Sequence, residues 1–159
     1  MKKVLGLFLF VGSLTAVSAS AQQMHAGVHV GAIGSTAESA IGYGVQFGVN
    51  PDGIAAFQVD ATFANFDQGL FFSSSPAIVV YPVYHEEFLL GILGGAGFYK
   101  YPEQNVRFGV NFGVTGDFTL TPLMSVGMEG RFHPIFGTAD DIWSVFLTLK
   151  FRFEGDSGW

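Results

Sequence analysis

The groups of this 159-residue chain best suited to chemistry are four histidines, a Glu-x-Arg pair and a short acidic run. His25 and His29 stand four apart in QMHAGVHVGAI, a spacing that on a helix would let both grip one metal ion. Their surroundings alternate with period two, however, and four residues of strand span roughly 13 Å, too far to share an ion. Glu129 and Arg131 in MEGRFH lie two apart, on one face of a strand, where opposite charges form an ion pair. Residues 138–141, TADD, offer carboxylates to calcium but lack the ligand count of a calcium loop. No cofactor and no metal is therefore expected.

The elements that carry these residues read as strands throughout. In IGYGVQFGVN, residues 41–50, Ile41, Tyr43, Val45, Phe47 and Val49 oppose Gly42, Gly44, Gln46, Gly48 and Asn50. The same alternation runs through QMHAGVHVGAI, IAAFQVDATFANF, FLLGILGGAGFYKY, VRFGVNFGVTGDF, LMSVGMEGRFH and IWSVFLTLKFRF. AIVVYPVYH adds a shorter strand, apolar on both faces, in which Pro82 predicts an early end or a bulge. That makes eight strands, most of them near the 9–11 residues a tilted strand needs to cross a bilayer.

Pro51-Asp52-Gly53 has the chemistry of a three-residue hairpin loop, which would pair Asn50 with Ile54 and set Gly44 opposite Asp60. Residues 65–76, NFDQGLFFSSSP, read as the longest connection, with Leu70, Phe71 and Phe72 as an apolar loop tip that could contact a partner. The simpler reading of those three is a strand continuation or part of an aromatic girdle. An even number of strands with alternating connection lengths fits an up-and-down meander, both termini lying at one end.

Glycine decides which face is inside. Eleven glycines share the polar face (27, 31, 42, 44, 48, 91, 95, 97, 109, 113 and 127), and three share the apolar face (94, 116 and 130). An eight-stranded barrel is just wide enough for side chains to fill, so a lumen holding charged residues needs vacancies beside them. On a solvated exterior the same glycines would gain nothing to offset their conformational cost. The polar face is therefore the lumen, with Asp60, Arg107, Glu129, Arg131, Lys150 and Arg152 as its polar network and no open pore.

Composition and the first residues agree. Lys2 and Lys3, the apolar run from Val4 to Val11 and Ala19-Ser20-Ala21 make residues 1–21 a signal peptide, with cleavage expected before Gln22 and one domain over 22–159. Removing Lys2 and Lys3 from the seven basic residues leaves five against thirteen acidic ones, a net charge of −8, which excludes nucleic acid as a natural partner. Hydrophobic residues make up 49% and charged residues only 13%, so part of the exterior must face something other than water. With no cysteine there is neither a disulfide nor a lipidated N-terminal cysteine, and any membrane attachment falls to the fold.

The chain at this point resembles small outer-membrane β-barrels of the outer membrane protein A transmembrane-domain and outer membrane protein X type. The likeness is most specific over 107–154: a Gly-alternating strand, Thr121-Pro122, Met128-Glu129-Gly130-Arg131-Phe132, an acidic loop and an aromatic-ended strand. It implies a bacterial outer-membrane location, contact with outer-membrane lipid, and recognition by the barrel assembly machinery through a terminal aromatic, with Phe151 and Phe153 at matching spacing. The chain departs by continuing through EGDSGW, so Phe153 and Trp159 both stand as that aromatic. Barrels that deacylate lipid A place a serine two residues after a histidine, whereas Pro134 and Ile135 follow His133 here. Palmitoyl-transferring barrels use a histidine with Asp-Ser, which occurs here only in the tail as Asp156-Ser157.

The sequence thus predicts an all-β, eight-stranded antiparallel transmembrane barrel. It would be a monomer with a structural or surface-interaction role and a possible extracellular partner at its loops, and not an enzyme. A lipid-modifying enzyme and a narrow channel are the alternatives.

Overall fold

The computed structural model describes residues 23–50, 53–102, 105–137 and 141–154. The expected signal peptide, Pro51-Asp52, Glu103-Gln104, most of the TADD run and the tail beyond Glu154 lie outside the described residues. Among the described residues eight strands form: β1 (Gln23–Gly34), β2 (Ser39–Asn50), β3 (Ala55–Phe66), β4 (Gly69–Tyr84), β5 (Phe88–Lys100), β6 (Arg107–Thr121), β7 (Met124–His133) and β8 (Ile142–Glu154). Each pairs antiparallel with its neighbours in chain order, and β1 pairs with β8 to close the barrel. Closure leaves no free sheet edge, which is what a strand structure requires wherever water cannot satisfy backbone groups.

The alternation sorts the faces as the glycines require. Val28, Val30, Phe47, Ile78, Ile92, Phe112, Val114 and Leu147 point outward and are exposed, while Gln46, Gln58, Asp60, Asn111, Asp117, Glu129, Arg131 and Lys150 are buried within. The inward glycines do more than leave room for side chains. A Cβ at Gly48 would strike the ring of His25, but one at Gly31, Gly44, Gly95 or Gly113 would strike a backbone carbonyl of the adjoining strand. These glycines therefore let neighbouring backbones approach closely enough to close a narrow cylinder. At the outward Gly94 and Gly130 the nearest atom to an added Cβ is 4.0 Å away.

Two local expectations are corrected. The β2–β3 register sets Gln46 opposite Asp60 and Gly44 opposite Thr62, two residues from the expected pairing. The Asn50 side chain accepts a hydrogen bond from the Gly53 amide at 2.6 Å, so a side-chain-capped turn replaces the Asn50–Ile54 backbone pair. Because the slip is by two, every side chain keeps its face.

The second correction concerns residues 65–76, which form no long loop. Strand β3 runs to Phe66, Asp67 and Gln68 make the turn, and β4 begins at Gly69. Strand β4 is thus the longest rather than the shortest, at 16 residues. The bulge expected at Pro82 is present as a one-residue slip between Val80 and Val83 in the β4–β5 ladder. The same ladder skips Ser75 and Pro76 between Ser74–Phe98 and Ala77–Gly95, while Pro76 stays paired with Val59 on β3. The missing proline N–H therefore falls on the β5 side.

Candidate functional site

The lumen gathers most of the polar chemistry, in layers. At mid-height β7 carries Glu129 and Arg131 two residues apart, and β3 brings Asp60 to them across the barrel. The Arg131 guanidinium lies 2.6 Å from Asp60 Oδ2 and 2.7 Å from Glu129 Oε1, all three side chains being nearly fully buried. The Asp60 contact is close but off the hydrogen-bond axis, whereas Arg131 Nε donates properly to Glu129. Gln58 Nε2 donates to Glu129 Oε2 at 3.1 Å and to Gln46 Oε1 at 3.2 Å, which ties the triad to β2. Buried this deeply, the pairs have little water to screen them, and each partner depends on the others.

The six residues expected as one network are not brought together as one. Asp60, Glu129 and Arg131 form the triad. Lys150 instead joins Asp117, 2.8 Å away, and Arg152 donates to Thr119 Oγ1 at 3.1 Å near the end that carries the termini. Arg107 stands at the opposite end, half-buried, its guanidinium beside Gly137. Asp117, Gln46 and Gln58 are members of the buried polar set that sequence reasoning did not single out. Asp117 was findable, since it follows Thr115 on the inward parity of β6.

Toward the loop end the lumen is apolar. Ile33, Phe66, Phe71, Tyr99, Ile135, Ile142 and Phe146 pack into one buried cluster, with Ala40 and Tyr101 against it. Ile135 reaches it because the chain after β7 continues along β6, with Gly109 bridging Ile135 and the Val110 amide donating to Pro134 O. A second cluster of Ala56, Val79, Tyr81 and Leu93 lies toward the other end. It explains why AIVVYPVYH reads as apolar on both faces: Val79 and Tyr81 point in while Ile78 and Val80 point out.

Leu70, Phe71 and Phe72 are strand residues and not a loop tip. Phe71 is fully buried against Phe66 and Tyr101, with ring centroids 5.7 and 5.3 Å apart. Phe72 lies outward beside Phe63, and Phe63 beside Tyr43, in a row of aromatic rings. Leu70 is exposed beside them.

Two of the lumen histidines are held by hydrogen bonds. His29 shares a hydrogen bond with Thr62 Oγ1 at 2.9 Å. His133 sits between Tyr99 OH and Ser144 Oγ, 3.0 Å from each. The serine absent along β7 is thus supplied across the ladder by β8. Ser144 is only 1% exposed, Tyr99 holds the place a carboxylate would take, and Tyr99 itself belongs to the apolar cluster, so the hydroxyl is closed off from solvent. Among the described residues no three His, Cys, Asp or Glu side chains gather as metal ligands.

No protein-family model and no curated protein matches the chain. Solved structures do. The N-terminal β-barrel domain of Pseudomonas aeruginosa OprF superposes with a TM-score of 0.64 at 10% identity, covering 81% of this chain and 97% of that domain. Neisserial surface protein A gives 0.60 at 12% identity, covering 85% of this chain and all of that one. Ail, the attachment invasion locus protein of Yersinia pestis, in complex with the heparin analogue sucrose octasulfate, gives 0.55 at 12% identity over 85% of this chain and 100% of that one. The chain therefore has the fold of the small eight-stranded outer-membrane β-barrels.

Proposed function

We propose that this chain is an integral protein of a bacterial outer membrane, exported through its N-terminal segment and acting as a structural or surface-interaction barrel with a closed lumen. The observation that carries the reading is the pairing of an apolar exterior with a charged interior. Outward side chains are predominantly apolar on all eight strands, exposed on seven and half-buried on β3, far beyond the apolar patch of a soluble monomer, while the ion pairs are buried inside. In this orientation the strand ends at Gln23, Asn50, Tyr84, Thr121 and Glu154 face the periplasm, and those at Gly34, Phe66, Lys100 and His133 face outward.

The two alternatives lose support from the same layers. A channel needs a continuous wet path, and the apolar cluster beneath the outer links interrupts it. An enzyme needs a reachable nucleophile, and Ser144 is sealed.

Surface interaction is the open-ended part of the role. Ail was solved with a sulfated heparin analogue. Here the outer links and strand ends hold Glu38, Asp67, Glu103, Asp140 and Asp141 against Lys100 and Arg107, which disfavours a polyanion and favours a neutral or basic partner. Membrane fractionation tests the reading. The protein should sediment with outer membranes, resist alkaline extraction and migrate differently before and after heating; recovery in the soluble periplasmic fraction would overturn it.

A further inference from the structure

The lumen end that carries the termini holds side chains that neither the triad nor the apolar clusters use. A recess of about 20 Å³ opens there, lined among others by His25, Asp117, Ser125, Lys150 and Arg152. They converge from four strands, with His25 opposite Arg152 across the β1–β8 ladder and Ser125 opposite Lys150 across β7–β8. Lys150 is 4% exposed and Ser125 is fully buried. Ser125 Oγ and His25 Nε2 have no hydrogen-bond partner.

Among the described side chains there, cations outnumber carboxylates. Lys150 is matched by Asp117 at 2.8 Å. Arg152 gives one N–H to the neutral Thr119, and no ion pair joins it to Asp117, Glu129 or Asp60, the described lumen carboxylates. Two of the five cations outside the N-terminal segment thus stand at one mouth of an acidic protein, and of the described carboxylates only Asp117 is paired with either. Water could fill the space but would offer the Arg152 guanidinium no counter-charge. An oxyanion would supply one, offering paired oxygens to the guanidinium fork and an acceptor to the Ser125 hydroxyl.

We propose that this mouth binds a single oxyanion group, a phosphate or carboxylate, gripped by Arg152 with Ser125 and Lys150 beside it. The recess has room for the anion's leading oxygens, so the rest of the molecule stays outside. The anion comes either from a small periplasmic solute or from a lipid headgroup. Placing this mouth in the periplasm rests on the function proposed above; the binding does not.

The test is an NMR titration of the Arg152 side-chain Nε–H in uncharged maltoside micelles, raising inorganic phosphate at constant ionic strength against chloride. Wild type should give a saturable shift with a midpoint in the low millimolar range. Arg152→Gln should weaken phosphate binding, followed on the Ser125 amide, by about 10-fold, Ser125→Ala by about 3-fold, and Lys100→Gln at the opposite end not at all. Should Arg152→Gln fail to fold, Arg152→Lys keeps the cation without the fork and should weaken binding by about 3-fold.

Repeating the titration in phospholipid nanodiscs separates the sources. An unchanged midpoint supports a soluble anion, and a resonance already shifted and unresponsive to phosphate supports a lipid headgroup. A shift in micelles that never saturates, or that chloride reproduces, overturns the proposal, as does wild-type affinity in the Arg152 and Ser125 variants. Failure of membrane fractionation would refute the location alone.

Discussion

Replacing Arg131 by methionine removes the one cation that holds Asp60 and Glu129 together at mid-lumen. The side chains are similar in length, so packing is largely kept and the change isolates charge. Both carboxylates are nearly fully buried, so water cannot take over. Removing one partner of such a buried pair costs about 3–5 kcal/mol.

The structure also orders the rescue. Glu129 keeps the hydrogen bond from Gln58, whereas among the described residues Asp60 has no second side-chain partner. Adding Asp60→Asn to Arg131→Met should therefore restore the larger part, about 2 kcal/mol, and adding Glu129→Gln to Arg131→Met should restore less. Urea unfolding from lipid vesicles, followed by tryptophan fluorescence, reads these differences directly. A single variant within about 1 kcal/mol of wild type, or a double variant with Asn at 60 no more stable than Arg131→Met, would refute the triad as a mutually dependent unit.

Further outcomes follow from the facing and the ladder. Val110→Arg puts a cation on the outward face of β6 and should cost about 2–4 kcal/mol at mid-bilayer, blocking assembly as judged by loss of the heat-modifiable form. Gly44→Ala, whose Cβ would meet both Ala61 O and the His29 ring, should destabilise strongly, while Gly130→Ala, with open space outward, should unfold at the same urea concentration as wild type. Pro76→Ala should add an N–H toward β5, gaining about 0.5–1.5 kcal/mol and a new slowly exchanging amide, provided the gap at Ser75 and Pro76 is the proline's doing.

The fold was largely legible because period two is a direct record of two environments, and glycine placement said which was the crowded one. What stayed hidden was whatever parity alone does not encode. Residues 65–76 read as a loop because Gly, Ser and Pro cluster there, yet Asp67-Gln68 turns the chain at once and Phe71 and Ser73 keep strict inward alternation. The β2–β3 register turned on whether Asn50 caps the turn through its side chain or its backbone, two choices that differ by a whole pleat and leave every face unchanged.

In the lumen, Glu129 and Arg131 were visible as neighbours on one strand, but their partner Asp60 sits on a distant strand across the barrel. Likewise, the apolar cluster beneath the outer links draws Phe66, Phe71, Ile135 and Phe146 from four separate segments, each unremarked in its own context. Ser144 reaches His133 only through the β7–β8 ladder.

The central claim is that the apolar face meets lipid, and Trp143 can report on it. It lies on the outward face of β8, 38% exposed, and Trp159→Phe leaves it as the chain's single tryptophan. In vesicles of lipids brominated along their acyl chains, Trp143 fluorescence should be strongly quenched and emit in the blue, as expected for an indole in contact with hydrocarbon. A red-shifted, unquenched Trp143 in a folded protein that remains soluble without detergent would contradict the account.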